Sequence, residues 1–139
     1  MKVLLDTNIW LDIALRSSQF PESLESLKFL EEKQTRICFP LCAYTTVYYL
    51  IGKFLNKTAA SDFTDSLLTQ HIEFLSFSER DVQRAKQLNF KDHEDACVCS
   101  TAIAHNCQLI ITRNEKDFRY SPIKVRHPKK ILQNILPHL

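Results

Sequence analysis

Short apolar runs alternate with helix-length stretches along the whole chain, and this alternation limits the fold more than any other feature. Val3-Leu4-Leu5, Arg36-Ile37-Cys38-Phe39, Ile72 to Phe77 and Gln108 to Thr112 read as strands, with Ile123-Lys124-Val125 as a possible edge strand. The first run is continuously apolar, the mark of a strand covered on both faces. Between the runs lie helical patterns: Asn8 as N-cap of a helix through Trp10 and Leu15, Pro21 opening one through Leu30, residues 41–56, and Thr58 through Leu67. Ser78 with Asp81 forms a capping box for a helix through Leu88, and a helix rich in small residues over Ala96–Ala104 and a short one over Ile131–Leu136 complete the series. Each crossover must return over the sheet. The expected fold is therefore α/β, a three-layer α/β/α sandwich around a central parallel sheet of four to five strands. With 139 residues and no repeat or linker, residues 1–139 read as one domain.

In a parallel sheet every strand's C-terminal end points to one edge, and ligands bind there. Asp6 closes the first strand. Asn114 and Asp117, in Thr112-Arg113-Asn114-Glu115-Lys116-Asp117-Phe118, emerge after the fourth strand on the same side. Asp92, Glu94 and Asp95 open the small-residue helix, which a crossover can also start at that edge. Carboxylates that converge repel one another, so either one takes a proton or a cation joins them. Hard divalent cations with oxygen ligands, Mg²⁺ or Mn²⁺, suit such a set, and they can hold a phosphodiester and activate water. The bland reading of the same residues is helix capping, since Asp6, Asn8, Asp92 and Glu94 all stand where a helix N-terminus favours them.

Composition removes several alternatives. Gly52 is the single glycine, whereas phosphate-cradling loops and dinucleotide fingerprints need several. The five cysteines, an odd number without paired CxxC spacing, argue against a disulfide framework or a structural zinc site. His93 and Cys97, four apart on one helix, could share a soft metal only with further ligands. No run approaches the ~20 apolar residues of a membrane span and no leader pattern opens the chain, so the expectation is a cytoplasmic protein without membrane contact. The net charge of +2 is unevenly spread. Residues 113–130 carry seven Lys/Arg against two acids, while residues 1–112 carry eleven against fourteen. This basic segment, including Arg113, Lys116 and Arg119, is the footprint of a polyanion partner such as nucleic acid.

Three stretches resemble the motifs of the PIN-domain family in order and spacing: Leu5-Asp6-Thr7-Asn8-Ile9, Asp92-His93-Glu94-Asp95-Ala96 and Ile111 to Phe118. The resemblance extends over nearly the whole chain. It implies an α/β/α fold, a Mg²⁺ or Mn²⁺ site, endonucleolytic cleavage of RNA, homodimerisation, and control by a small antitoxin protein as in toxin–antitoxin pairs. By that likeness Asp6 and Asp95 bind metal, with Asp117 and Asp92 as further candidates. Asn114 stands where the family commonly has aspartate. Asn8, Thr112 and Glu94 are supporting residues. The helix after the second strand usually carries another acid, but Thr45 to Leu50 has none, and Thr46 occupies that position. A hydroxyl does not neutralise a cation, so metal affinity should fall. The expected activity is RNA phosphodiester hydrolysis by Asp6 and Asp95, helped by Asn114 and Asp117. The alternative is an inert PIN-like binding module. Phosphoacceptor-aspartate enzymes fit less well: receiver domains need an acidic pair near the phosphoacceptor and a lysine after a late strand, and haloacid-dehalogenase-like phosphatases need an acid two residues on, where this chain has Asn8.

Overall fold

The computed structural model describes residues 1–133. Its sheet has five parallel strands, β1 (Lys2–Leu5), β2 (Arg36–Pro40), β3 (Ile72–Leu75), β4 (Leu109–Ile111) and β5 (Lys124–Arg126), in the order β3-β2-β1-β4-β5. Helices α1 (Thr7–Ala14), α2 (Pro21–Glu32), α3 (Tyr44–Phe54), α4 (Lys57–Thr69), α5 (Glu79–Gln87), α6 (His93–Ala104) and α7 (Pro128–Leu132) connect and flank the strands. The three-layer parallel architecture expected from the alternation is the one observed. β1 sits at the centre and β4 beside it, so the chain reverses its direction of growth across the sheet at β1. Ligand sites form at such a switch point.

The two faces of the sheet bury different cores. Val3, Leu5, Ile37, Phe39, Leu109 and Ile111 face α1, α2, α3, α4 and α7, and Trp10 stacks obliquely on Phe39 with ring centroids 5.3 Å apart. Leu4, Cys38 and Ile110 face α6. The seven consecutive positions Ala96–Ala102 of α6 are all buried, because Ala, Cys, Ser and Thr let the helix lie close to the sheet on one side and to α5 on the other. With a lone glycine in the chain, the left-handed turns that follow α1, α2 and α6 fall to Arg16, Gln34 and Asn106, with φ of 47°, 56° and 57°.

Some boundaries differ from expectation. The cap of α1 is Asp6, not Asn8: the helix starts at Thr7, and Asn8 turns its amide across to β4 instead. The third helix opens with a 3₁₀ turn, Leu41–Ala43, and α4 begins at Lys57 because Asn56 caps it. β3 stops at Leu75, two residues early, and the capping box of Ser78 and Asp81 is formed. α7 starts at Pro128, and residues 134–136 of the expected terminal helix lie outside the described residues.

Candidate active site

The site is built first by β1 and β4. They run parallel with Leu5 beside Ile111, so the next residues, Asp6 and Thr112, leave the sheet side by side. The Asp6 amide donates to the Ile111 carbonyl at 2.9 Å, extending the ladder by one bond. The Thr112 hydroxyl donates to Asp6 Oδ2 at 2.8 Å, and the Thr7 amide donates to Oδ1 at 2.8 Å. Asn8 completes the scaffold: its amide nitrogen reaches Asp6 Oδ2 and Thr112 Oγ1, each at 3.4 Å, and its oxygen accepts the Arg113 amide. Asp6 is thus 2% exposed and fixed by both flanking segments.

The second wall is the start of α6. Asp92 is its N-cap, with Oδ1 accepting the Asp95 amide at 2.9 Å, and Glu94 and Asp95 lie in the first turn. The capping reading is therefore true of Asp92, which keeps one oxygen for other work. The third wall is the turn after β4. The Asn114 amide donates to Thr112 Oγ1 at 3.1 Å and the Asn114 carbonyl accepts the Asp117 amide at 3.0 Å. Asp6, Asn8, Thr46, Asp92, Glu94, Asp95, Asn114 and Asp117 all line one pocket of about 320 Å³. The convergence expected from topology is observed, and Thr46 faces the acids from α3.

Electrostatics follow from this crowding. Burial raises the Asp6 carboxyl to about 6 against the Thr112 and Thr7 hydrogen bonds, with Glu94 and Asp92 adding repulsion. Burial raises Asp95 to about 7, joined by repulsion from Asp6, Asp92, Asp117 and Glu94. Glu94 Oε1 is buried with no hydrogen-bond partner. An uncompensated set of hard oxygen donors, one of them orphaned, has the chemistry of a divalent-cation site. Among the described residues no three His, Cys, Asp or Glu side chains stand as a ready-made ligand shell. Mg²⁺ takes only one or two carboxylates directly and keeps water in its other positions, so this donor set fits it. The His93–Cys97 pair stays a bare contact at 3.7 Å.

The structure adds residues that the motifs did not reveal. Asp12 of α1 is buried and paired with Arg113, whose Nε lies 2.8 Å from Oδ2, while the Ser23 hydroxyl donates to the same oxygen at 2.7 Å. The Arg113 guanidinium also stacks 3.6 Å from the Phe20 ring centroid. Arg113, expected to contact nucleic acid, is therefore engaged internally, because a buried carboxylate demands its cation. The signal was available: Asp12 falls between Leu11 and Ile13 on the core-facing side of a short amphipathic helix. Lys91 was also missed, and it lines the acidic pocket. Lys116 and Arg119 remain exposed beside Asp117, along a groove that adjoins the pocket.

The chain is similar to known proteins over most of its length. Ribonuclease VapC1 of Aquifex aeolicus (strain VF5) is 32% identical over 127 residues, covering 87% of this chain and 85% of the relative. VapBC2 from Rickettsia felis, solved bound to a DNA fragment from its promoter, superposes with a TM-score of 0.72 at 21% identity, covering 91% of this chain and 98% of that one. A toxin–antitoxin complex from Klebsiella pneumoniae gives 0.66 at 24% identity over 91% and 98% of the respective chains. The PIN-domain family model matches residues 2–116, a span that contains Asp6, Asp92, Asp95 and Asn114 and stops one residue short of Asp117. The family model spans most of the chain and the relative from Aquifex aeolicus is 32% identical across it, and this chain belongs to the PIN-domain family.

Proposed function

We propose that this protein is a metal-dependent endoribonuclease and the toxin component of a toxin–antitoxin pair, acting in the cytoplasm with residues 1–139 as one functional domain. The observation that carries this reading is the single pocket lined by both Asp6 and Asp95, each pushed toward neutral pH, beside exposed cations. The relative from Aquifex aeolicus is named a ribonuclease, and the solved relatives come from VapBC and toxin–antitoxin complexes. Asp6 and Asp95 would hold Mg²⁺ or Mn²⁺, with Asp117 and the free oxygen of Asp92 close by. The ion supplies charge neutralisation and an acidified water. Thr112 and Asn8 orient the Asp6 carboxylate, Glu94 adds negative charge, and Asn114 offers an uncharged amide where a phosphate oxygen or water would lie. Lys116 and Arg119 draw the RNA backbone to the pocket, an attraction that weakens with salt.

Protein association is supported by a second surface. Tyr44, Tyr48, Tyr49 and Gly52 of α3, with Lys53 and Lys57, line an open groove of about 750 Å³, and Tyr49 and Phe54 are 65% and 61% exposed. A contiguous apolar face of this kind marks a protein contact. A small antitoxin and a second copy of the chain are the partners in this reading. All five cysteines are free, as a reducing compartment requires. Among the described residues no helix is long and apolar enough to cross a membrane.

Thr46 favours a second reading, an inert RNA-binding module, because the pocket has a hydroxyl on the α3 side where an acid would strengthen cation binding. Cleavage of a generic single-stranded RNA with Mn²⁺ separates the two. The wild type should cut and the Asp6→Asn variant should not. Equal cutting by both proteins removes the enzymatic reading, and RNA binding without cutting by either establishes the inert module.

A further inference from the structure

Beside the acidic pocket lies a smaller groove of about 230 Å³, walled by Phe90, Lys91, Lys116, Arg119 and Tyr120. Lys91 and Asp117 line both cavities, so the two adjoin. Their chemistry is opposite. Three cations and one carboxylate border the groove, and among the described residues none of these cations is in an ion pair. Phe90 is held edge-on against buried Phe118, with centroids 5.4 Å apart at 90°. Tyr120 is 53% exposed, and the Arg119 guanidinium lies 5.1 Å from its ring centroid. An exposed tyrosine with an arginine beside it at the wall of a basic groove is a surface on which a base can stack.

We propose that this groove is a nucleotide subsite, in which a base adjacent to the cleaved phosphodiester stacks on Tyr120 while Lys91, Lys116 and Arg119 bind the flanking phosphates. The proposal rests on the ribonuclease reading and gives the substrate its path. The groove is smaller than the ~300 Å³ at which drug-sized pockets begin, so it suits one base. A base inside a duplex shows no free face, so the subsite takes unpaired nucleotides, as in single-stranded RNA or a loop. Stacking is tolerant of base identity, and this site therefore fixes the register of the strand rather than its sequence. Lys91 touches both cavities, which places it to meet the phosphate that spans the boundary.

The test is binding of a short labelled single-stranded RNA to the full chain in EDTA, followed by fluorescence anisotropy, with thermal unfolding of each variant as the check on folding. Tyr120→Leu should weaken binding by about tenfold, and Tyr120→Phe should restore it, because stacking needs only the ring. The same RNA with an abasic site moved along it should lose the Tyr120 dependence at one position. If Tyr120→Leu binds as the wild type does while Lys116→Gln/Arg119→Gln binds weakly, the groove holds backbone alone and the subsite is overturned, with the ribonuclease reading intact. If all these variants bind as the wild type does, the strand runs elsewhere and the subsite again falls. If the wild type binds no RNA in EDTA yet cuts it with Mn²⁺, the groove holds no nucleotide and the subsite alone falls; if it neither binds nor cuts, the ribonuclease reading fails and takes this one with it.

Discussion

The Thr112 hydroxyl donates to Asp6 Oδ2 at 2.8 Å across the seam between β1 and β4, and that bond ties the carboxylate at the switch point to the strand that delivers Asn114 and Asp117. It also opposes the effect of burial, which raises Asp6 to about 6. Replacing Thr112 by Val keeps the shape and removes the donor. Hydrogen bonds to charged groups contribute about 1.5–3 kcal/mol, so Mn²⁺ affinity and cleavage rate should both drop by about tenfold or more. Thr112→Ser should keep most of both. Calorimetric titration with Mn²⁺ and single-turnover cleavage measure the two effects, and a valine variant with unchanged Mn²⁺ affinity would show that Asp6 holds no metal.

The raised carboxyls set a pH dependence whose sign is fixed. Asp6 and Asp95 hold protons more tightly when folded, at about 6 and about 7, than in the unfolded chain at their ordinary value of 3.8. Between pH 4 and 7 the native state therefore binds more protons, and these groups make stability fall as pH rises through that window. Above it both carboxylates are charged and in conflict, and a cation relieves them. Metal-free protein should lose several degrees of Tm between pH 5 and 8 from this source, and Mg²⁺ should restore most of it at pH 8 and little at pH 5. Thermal scans with EDTA and with Mg²⁺ check this, and Asp95→Asn should flatten the metal-free slope.

Arg113 makes a different prediction from its exposed neighbours. Its guanidinium is committed to Asp12 and Phe20, with side-chain exposures of 23% and 7% for Arg113 and Asp12. Arg113→Met leaves a buried carboxylate without its cation, which costs about 3 kcal/mol of stability. Arg113→Lys recovers only part, because an ammonium neither forks to the carboxylate nor stacks on the ring. The double variant Asp12→Leu/Arg113→Met should be more stable than Arg113→Met alone. RNA binding by correctly folded Arg113→Lys should keep the salt slope of the wild type, whereas Lys116→Gln should lower it by about one.

The layers and the parallel sheet were legible because strand runs and helix periods repeat without interruption, and because parallel topology sends Asp6, Asn114 and Asp117 to one rim; the strand order was not. What the linear pattern could not carry was the use of each group. Asn8 looks like a cap, yet the register of β1 against β4 offers it Thr112 as a partner across the sheet. Arg113 looks like a free cation in a basic run, yet Asp12, a hundred residues earlier, claims it. Lys130 is taken up within the run itself, by Glu115 at 2.9 Å. Charge runs overstate the free positive surface whenever buried acids lie far away in sequence.

Thr46 yields the prediction that bears most directly on whether this pocket is a strong or a weak cation site. It lines the same pocket as Asp95 from α3, partly exposed and uncharged. Thr46→Asp adds a hard ligand of similar size at the position where the rim lacks an acid. In metal-free protein the new charge joins Asp6 and Asp95, so Tm should fall at pH 8 and change little at pH 5. With Mn²⁺ present the sign reverses, because the extra carboxylate is neutralised by the ion: affinity should rise by about tenfold, and cleavage at limiting Mn²⁺ should rise with it. A drop in Tm that Mn²⁺ does not reverse would mean that position 46 faces the acids without sharing an ion with them, and the metal site would then have to be drawn from Asp6, Asp95, Asp117 and Asp92 without any contribution from α3.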